Sequence, residues 1–165
     1  MKLKKLSMLV AAVLLGAALL AGCSSDSSST DTTPKTVDEI YEIVAAANPI
    51  DNARELNDMS IELDFMLSLD DIVSYKGVAS NDNGDAGMVI VIEATDESAD
   101  AVFAAMESYA TTQAAFWSNY EEFADAQASV ESSRIKREGN IIVQVFAANG
   151  ADYTDIETAL TEAFS

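Results

Sequence analysis

Residues 80–94, SNDNGDAGMVIVIEA, decide how this chain folds. The first eight are polar or small and contain Asn83-Gly84, a strong hairpin-turn signal. The next seven, Met88–Ala94, form an apolar run rich in β-branched residues, with apolar side chains at both parities from Met88 to Ile92. A strand of that kind belongs in the middle of a sheet. Upstream, Val73–Ala79 is the strand that the turn joins to it. Downstream, Ser133–Glu138 and Ile141–Ala147 form a second hairpin around Gly139-Asn140.

Helical patterns surround these hairpins. Thr95 or Asp96 caps an amphipathic helix of about 30 residues. Its stripe runs through Val102, Met106, Tyr109, Gln113, Phe116, Tyr120 and Phe123, stepping by four and three, with Phe103, Ala110 and Trp117 flanking it. Asp152–Phe164 repeats the theme through Ile156, Leu160 and Phe164. At the start, Thr36-Val37-Asp38-Glu39 is a capping box. Ile40, Ile43, Val44 and Ala47 then share one helical face, and Asn48-Pro49 ends it, because proline disfavours helical geometry in the residue before it. Residues 52–72 fit two patterns. Ile61, Leu63, Phe65 and Leu67 alternate as in a half-buried strand, whereas Asp58 or Ser60 as cap, with Leu63, Met66 and Leu67, fits a short helix. The helix is the reading adopted.

The order is hairpin, helix, hairpin, helix, after one or two N-terminal helices. Hairpins in place of long crossovers predict an α+β fold: an antiparallel sheet of about four strands built from two hairpin–helix (ββα) units, its helices on one face. A single helical layer would leave the second apolar face of Met88–Ile92 and Ile141–Phe146 open as an interaction surface. The N-terminal helix and residues 52–72 are its expected cover. The domain spans residues 36–165.

The N-terminal region has a different composition. Lys2, Lys4 and Lys5 precede an apolar run from Leu6 to Leu20, and Ala21-Gly22 leads to Cys23, the single cysteine. A basic start, a short apolar core and a small-residue exit make a secretory signal peptide over residues 1–22. The run is shorter than the about 20 apolar residues of a transmembrane helix. Leu20-Ala21-Gly22-Cys23 resembles the lipobox of bacterial lipoproteins. That resemblance implies cleavage after Gly22 and a diacylglycerol thioether on Cys23, the only prosthetic group expected. Two acyl chains on one sulfur suffice for stable anchoring, since each buried methylene contributes about 0.8 kcal/mol. The Ser/Thr/Asp tract that follows, within residues 23–35, is expected to be a disordered tether with an average reach of roughly 20 Å.

Cleavage would remove three lysines and no acid, taking the formal charge from −19 to −22. Such a surface argues against nucleic acid and against docking on anionic lipid. With Cys23 lipidated, no disulfide is available, so a core must stabilise the domain. There is no histidine, which removes the commonest metal ligand and the usual acid–base group near neutral pH.

Few residues suggest chemistry. Read as a calcium loop from Asn81, the Asn81–Asp85 segment has Ala86 where glycine is needed and Ile92 where the bidentate carboxylate is needed, so it is a polar turn. Glu121, Glu122 and Asp125 are acids on the long helix. Paired carboxylates hydrolyse glycosides only where a cleft separates their pKa values. Arg134, Lys136 and Arg137 gather on one strand, with Arg134 and Lys136 on the same face. They could meet an acidic partner, although basic residues on an edge strand also deter aggregation.

The lipobox, the linker, the capped first helix and the Trp117–Tyr120 helix, followed by the Gly139-Asn140 hairpin and a terminal helix, resemble one family over residues 36–164. It is a family of small Gram-positive lipoproteins known only as a domain of unknown function. The chain departs from its pattern at residues 58–72, where Phe65–Asp70 stands in place of a Tyr-Gly-Ile-Asp-like turn. The resemblance implies no catalytic residues. The expected role is an exported, lipid-anchored binding or accessory module at the outer face of the cytoplasmic membrane, meeting an envelope protein. A small-ligand carrier is the alternative, and a carboxylate-dependent cell-wall hydrolase using Glu121 and Glu122 ranks third.

Overall fold

The structure is a computed structural model that describes residues 34–165. The signal-like segment, Leu20, Ala21, Gly22, Cys23 and most of the Ser/Thr/Asp tract lie outside the described residues. The described chain runs α1 (Val37–Ala47), β1 (Ala53–Glu55), β2 (Ile72–Ser80), β3 (Met88–Ala94), α2 (Ala99–Trp117), α3 (Ala124–Glu131), β4 (Arg134–Glu138), β5 (Ile141–Phe146) and α4 (Tyr153–Ala163). The strands form one antiparallel sheet in the order β1-β2-β3-β5-β4. This is the expected α+β fold with one strand more than expected. The additional strand, β1, is three exposed residues long and has no apolar alternation to announce it.

The two parities of β3 face two separate cores. Met88, Ile90, Ile92 and Ala94 join Ile142 and Phe146 beneath Val102 and Met106 of α2. Val89 and Val91 join Val143 and Val145 against Val37, Ile40 and Val44 of α1 and Ile156 and Leu160 of α4. The helices therefore cover both faces of the sheet, which corrects the expectation of one helical face. Side chains alternate along a strand, so an apolar run presents two rows, and each needs its own cover. The N-terminal helix covers the second face, as expected, but the rest of the cover is divided differently. α1 takes the second face in company with α4, whereas residues 52–72 join α2 on the first.

That segment satisfies neither simple pattern. After β1 it makes one wide helical turn, Ser60–Asp64, in which the Phe65 N–H donates to the Ser60 carbonyl at 3.2 Å. A short 3-10 turn follows at Leu69–Asp71, capped by Ser68. Ile61 and Phe65 are buried, and so is Leu67, while Leu63 faces solvent. In a wide turn, residues four apart share a side. Alternation in the sequence hid that spacing.

The predicted 30-residue helix is broken. α2 ends at Trp117, and Glu121–Phe123 forms a 3-10 turn before α3. The cause is local. The Asn119 side-chain amide donates to the carbonyls of Ala115 and Phe116, and the Ser118 hydroxyl to that of Ala115. Such side chains compete with the backbone for the last carbonyls of a helix. Tyr120 then adopts an extended backbone conformation.

The capping box at Thr36 is present, with the Thr36 N–H donating to Glu39 at 2.8 Å and the Glu39 N–H to the threonine hydroxyl. The Thr36 hydrogen bonds hold the Glu39 carboxyl below its ordinary range. At the other end of α1, Asn48 does more than stop a helix. It is buried, and its amide donates to the carbonyls of Phe146 (2.9 Å) and Met88 (3.3 Å), while its oxygen accepts from the Ala148 N–H (2.8 Å). One side chain thus ties α1 to the ends of β3 and β5.

Replacing Asn48 with alanine strands those three backbone groups. A buried unsatisfied group costs about 1–3 kcal/mol, so Asn48→Ala should lose at least about 2 kcal/mol in urea denaturation. Asn52→Ala, which removes only an exposed contact to Asp82, should lose under about 1 kcal/mol.

Candidate functional site

The break after α2 turns Phe123 back towards the β2–β3 loop. Its ring lies against Gly84, where a Cβ would stand 2.8 Å from Cδ1. Gly84 also has φ of +85°, a conformation that glycine adopts without strain. Asp85 ties the same loop to a third segment, its Oδ1 accepting from the N–H groups of Gly87 (2.9 Å) and Asn149 (3.1 Å). A cleft of about 460 Å³ results, bounded by this loop, the α2–α3 joint with α3, and the β5–α4 loop.

The cleft wall is internally bonded. The Tyr153 hydroxyl donates to the Ser129 carbonyl at 2.5 Å and accepts from the Ala147 N–H at 3.0 Å. The Ser129 hydroxyl donates to the Ala147 carbonyl at 2.6 Å. These groups hold the β5–α4 loop on α3 and are not poised for reaction. Glu122 and Asp125 supply the acidic lining.

The fold therefore brings together two features that the sequence singled out separately, the Asn81–Asp85 turn and the acids Glu122 and Asp125. Glu121 does not line the cleft, so the suspected Glu121–Glu122 pair does not converge on one ligand. The turn's own carboxylates are occupied, since Asp82 accepts from Asn52 at 2.7 Å and Asp85 caps its neighbours. Among the described residues, no group of three carboxylate, histidine or cysteine side chains could hold a metal ion.

Arg134, Lys136 and Arg137 lie on β4, an edge strand, and alternate between its faces. Arg134 pairs with Glu157 of α4 at 2.6 Å and lies 4.7 Å from the Tyr153 ring centroid. Lys136 donates to the Leu160 carbonyl at 3.0 Å and lies over Phe164. Arg137 turns to the opposite face and pairs with Asp100 of α2 at 2.5 Å. All three are engaged with the domain's own helices.

A second surface is apolar. Along α2 the stripe begins buried at Val102 and Met106, passes Tyr109, which sits between Phe65 (4.3 Å) and Phe146 (5.9 Å), and ends exposed at Phe116. Burial, with the Asp64 carboxylate adding and Arg54 opposing, pushes the Tyr109 phenol up to about 12. Beyond it, Phe116, Trp117, Tyr120 and Phe123 form an aromatic cluster with centroids 5.3–5.9 Å apart. Across a shallow trough from α2, Leu63 and Met66 stand outward at 65% and 80% exposure, and Met59, at 66%, lines a separate hollow that Leu63 borders together with Asp58, Glu62 and Tyr75. Sequence reasoning missed these three, because a core leucine and a surface leucine are written alike.

A family model described as a domain of unknown function (DUF4358) matches residues 47–147. The match takes in the whole sheet, α2 and α3, and stops short of α4. No curated protein and no solved structure matches the chain.

Gly84→Ala should drive Phe123 off the loop and loosen the joint. Trp117 is the only tryptophan and meets Phe123 edge-on at 5.6 Å, so its emission should shift, with a loss of about 1–3 kcal/mol. Gly139→Ala, where nothing lies within 4 Å of the added methyl, should leave the emission unchanged.

Proposed function

The chain belongs to the DUF4358 family, and from that premise we propose that it is a lipid-anchored extracytoplasmic protein whose domain acts as a binding or accessory module through protein contacts. Its anchor is diacylglycerol on Cys23, its site the outer face of the cytoplasmic membrane, and residues 24–35 are its tether. The observation that carries the contact role is the exposure of the apolar side chains Met59, Leu63, Met66 and Phe116, with Leu63 and Met66 lining one trough beside α2. Both faces of the sheet are already covered, so this surface is surplus to the core. Exposed apolar patches of this kind mark interaction sites.

The anchor reading is supported by the signal pattern and the Leu-Ala-Gly-Cys motif. It suits the acidic domain, which has no electrostatic attraction of its own to an anionic membrane. Among the described residues no helix is long and apolar enough to cross a membrane.

A small-ligand carrier is the second reading, favoured by the cleft with Glu122 and Asp125 on its wall. The hydrolase reading is weaker still, since Glu121 does not line that cleft.

Chemical crosslinking in intact cells followed by mass spectrometry tests the contact role. The domain should yield a reproducible protein partner above a control carrying only residues 1–35, and an empty result would sink the reading. Cys23→Ser tests the anchor. The variant should leave the membrane fraction in a carbonate wash with its circular dichroism unchanged, and retention on the membrane would refute lipidation.

A further inference from the structure

We propose that the trough between residues 57–66 and α2 is the docking site for a cationic amphipathic helix of a partner protein, an inference that rests on the protein-contact reading above.

The trough has large apolar side chains on one wall, and on the other small residues beside Tyr109 and Gln113. Leu63 and Met66 rise on the first, and Ala105, Ser108 and Thr112 step along the second at intervals of three and four. About 310 Å³ of open space lies between them. One helical turn beyond Thr112, Phe116 extends the apolar surface, half exposed. From Ala105 to Phe116 the α2 wall is roughly 16 Å long at 1.5 Å per residue, about three turns. A helix laid in such a groove inserts apolar anchors at i, i+3 or i+4, and i+7.

The wall is built to hold its side chains outward. Ile61, Phe65 and Leu67 satisfy the core from the same segment, so Met59, Leu63 and Met66 serve no packing need. Met66 has φ of +57°, the left-handed region that costs an L-residue roughly 1–2 kcal/mol. Strain of that kind clusters at binding sites. Two of the three are methionines, whose flexible thioether side chains adapt to apolar partners.

Charge selects the occupant. Asp64 lines the trough beside Leu63 and Met66, Asp58 and Glu62 lie with Met59 and Leu63 in the adjoining hollow, and residues 57–66 contain no cation. Arg54 pairs with Asp64 at 3.9 Å and Asp58 accepts from the Tyr75 hydroxyl at 2.5 Å, so three carboxylates stand against one cation. A helix with lysine or arginine flanking its apolar stripe complements those carboxylates. A second copy of the chain would set the same three carboxylates against their equals, and anionic lipid would be repelled for the same reason.

A photoreactive phenylalanine analogue placed at position 63 of the full chain, in living cells, tests this. A matched chain carries it at Glu131, an exposed residue on α3. The expected crosslink from position 63 maps by mass spectrometry to a lysine- or arginine-rich amphipathic helical segment of one protein. Reversing the charge with Glu62→Lys and Asp64→Lys should cut its yield about tenfold at unchanged protein abundance. Crosslinks from position 63 to another copy of the chain, to lipid or to a segment without basic residues would overturn the proposal, as would a yield indifferent to the charge reversal. If position 131 captures a partner and position 63 none, the docking site is wrong and the contact role stands. If neither captures one, both fall.

Discussion

Everything in this domain follows from a central strand that has no solvent side. Every residue of Met88–Ile92 is buried, and side chains of opposite parity cannot share one cover. The chain therefore has to supply helical material to both faces. It does so from four places, with α1 and α4 on one face and the 52–72 segment and α2 on the other. The edges are treated differently from the centre. β1 is short and exposed, and β4 carries three cations folded back onto neighbouring helices. Both measures leave little unpaired strand for another chain to join.

Asn48 shows how the helical cover and the sheet are held in register. Its position before Pro49 ends α1, and its side chain bridges three backbone groups at the ends of β3 and β5. A polar side chain this deeply buried is stabilising only when each of its groups is matched. Gln144 is the contrast. It is buried on the α2 face, donates to the Met106 carbonyl at 2.8 Å, and leaves its own oxygen without a partner.

Much of this was legible in the sequence. Strong β-branched runs bounded by Asn-Gly and Gly-Asn located both hairpins, and the capping box and Asn48-Pro49 bracketed α1 to the residue. Three features were not legible, each for a physical reason. β1 has no periodicity because it buries nothing. The break after Trp117 depends on Ser118 and Asn119 bonding to carbonyls, while the apolar stripe runs on through it as though the helix continued. The wide turn at Ser60–Asp64 places Ile61 and Phe65 inward with a spacing that alternation conceals. The cleft illustrates the same limit. Its turn and its acids were each visible in the sequence, but their meeting required the Phe123–Gly84 contact, which joins residues about forty positions apart. The outward row of Met59, Leu63 and Met66 was invisible because apolar letters do not say which way they face.

The pairing of α1 with α4 has a consequence for the order in which the domain can form. Lys35 just before α1 donates to the carbonyls of Glu162, in the last turn of α4, and of Ser165 just after it, across 127 and 130 residues of chain. The two helices shield one apolar row between them. A chain emerging N-terminus first from a ribosome exposes α1 long before its companion exists. Val89, Val91, Val143 and Val145 stay partly bare until the final turn of helix arrives. Contacts this distant in sequence are slow to close. α4 therefore completes this core, and until it docks α1 is the helical cover that the valine row has.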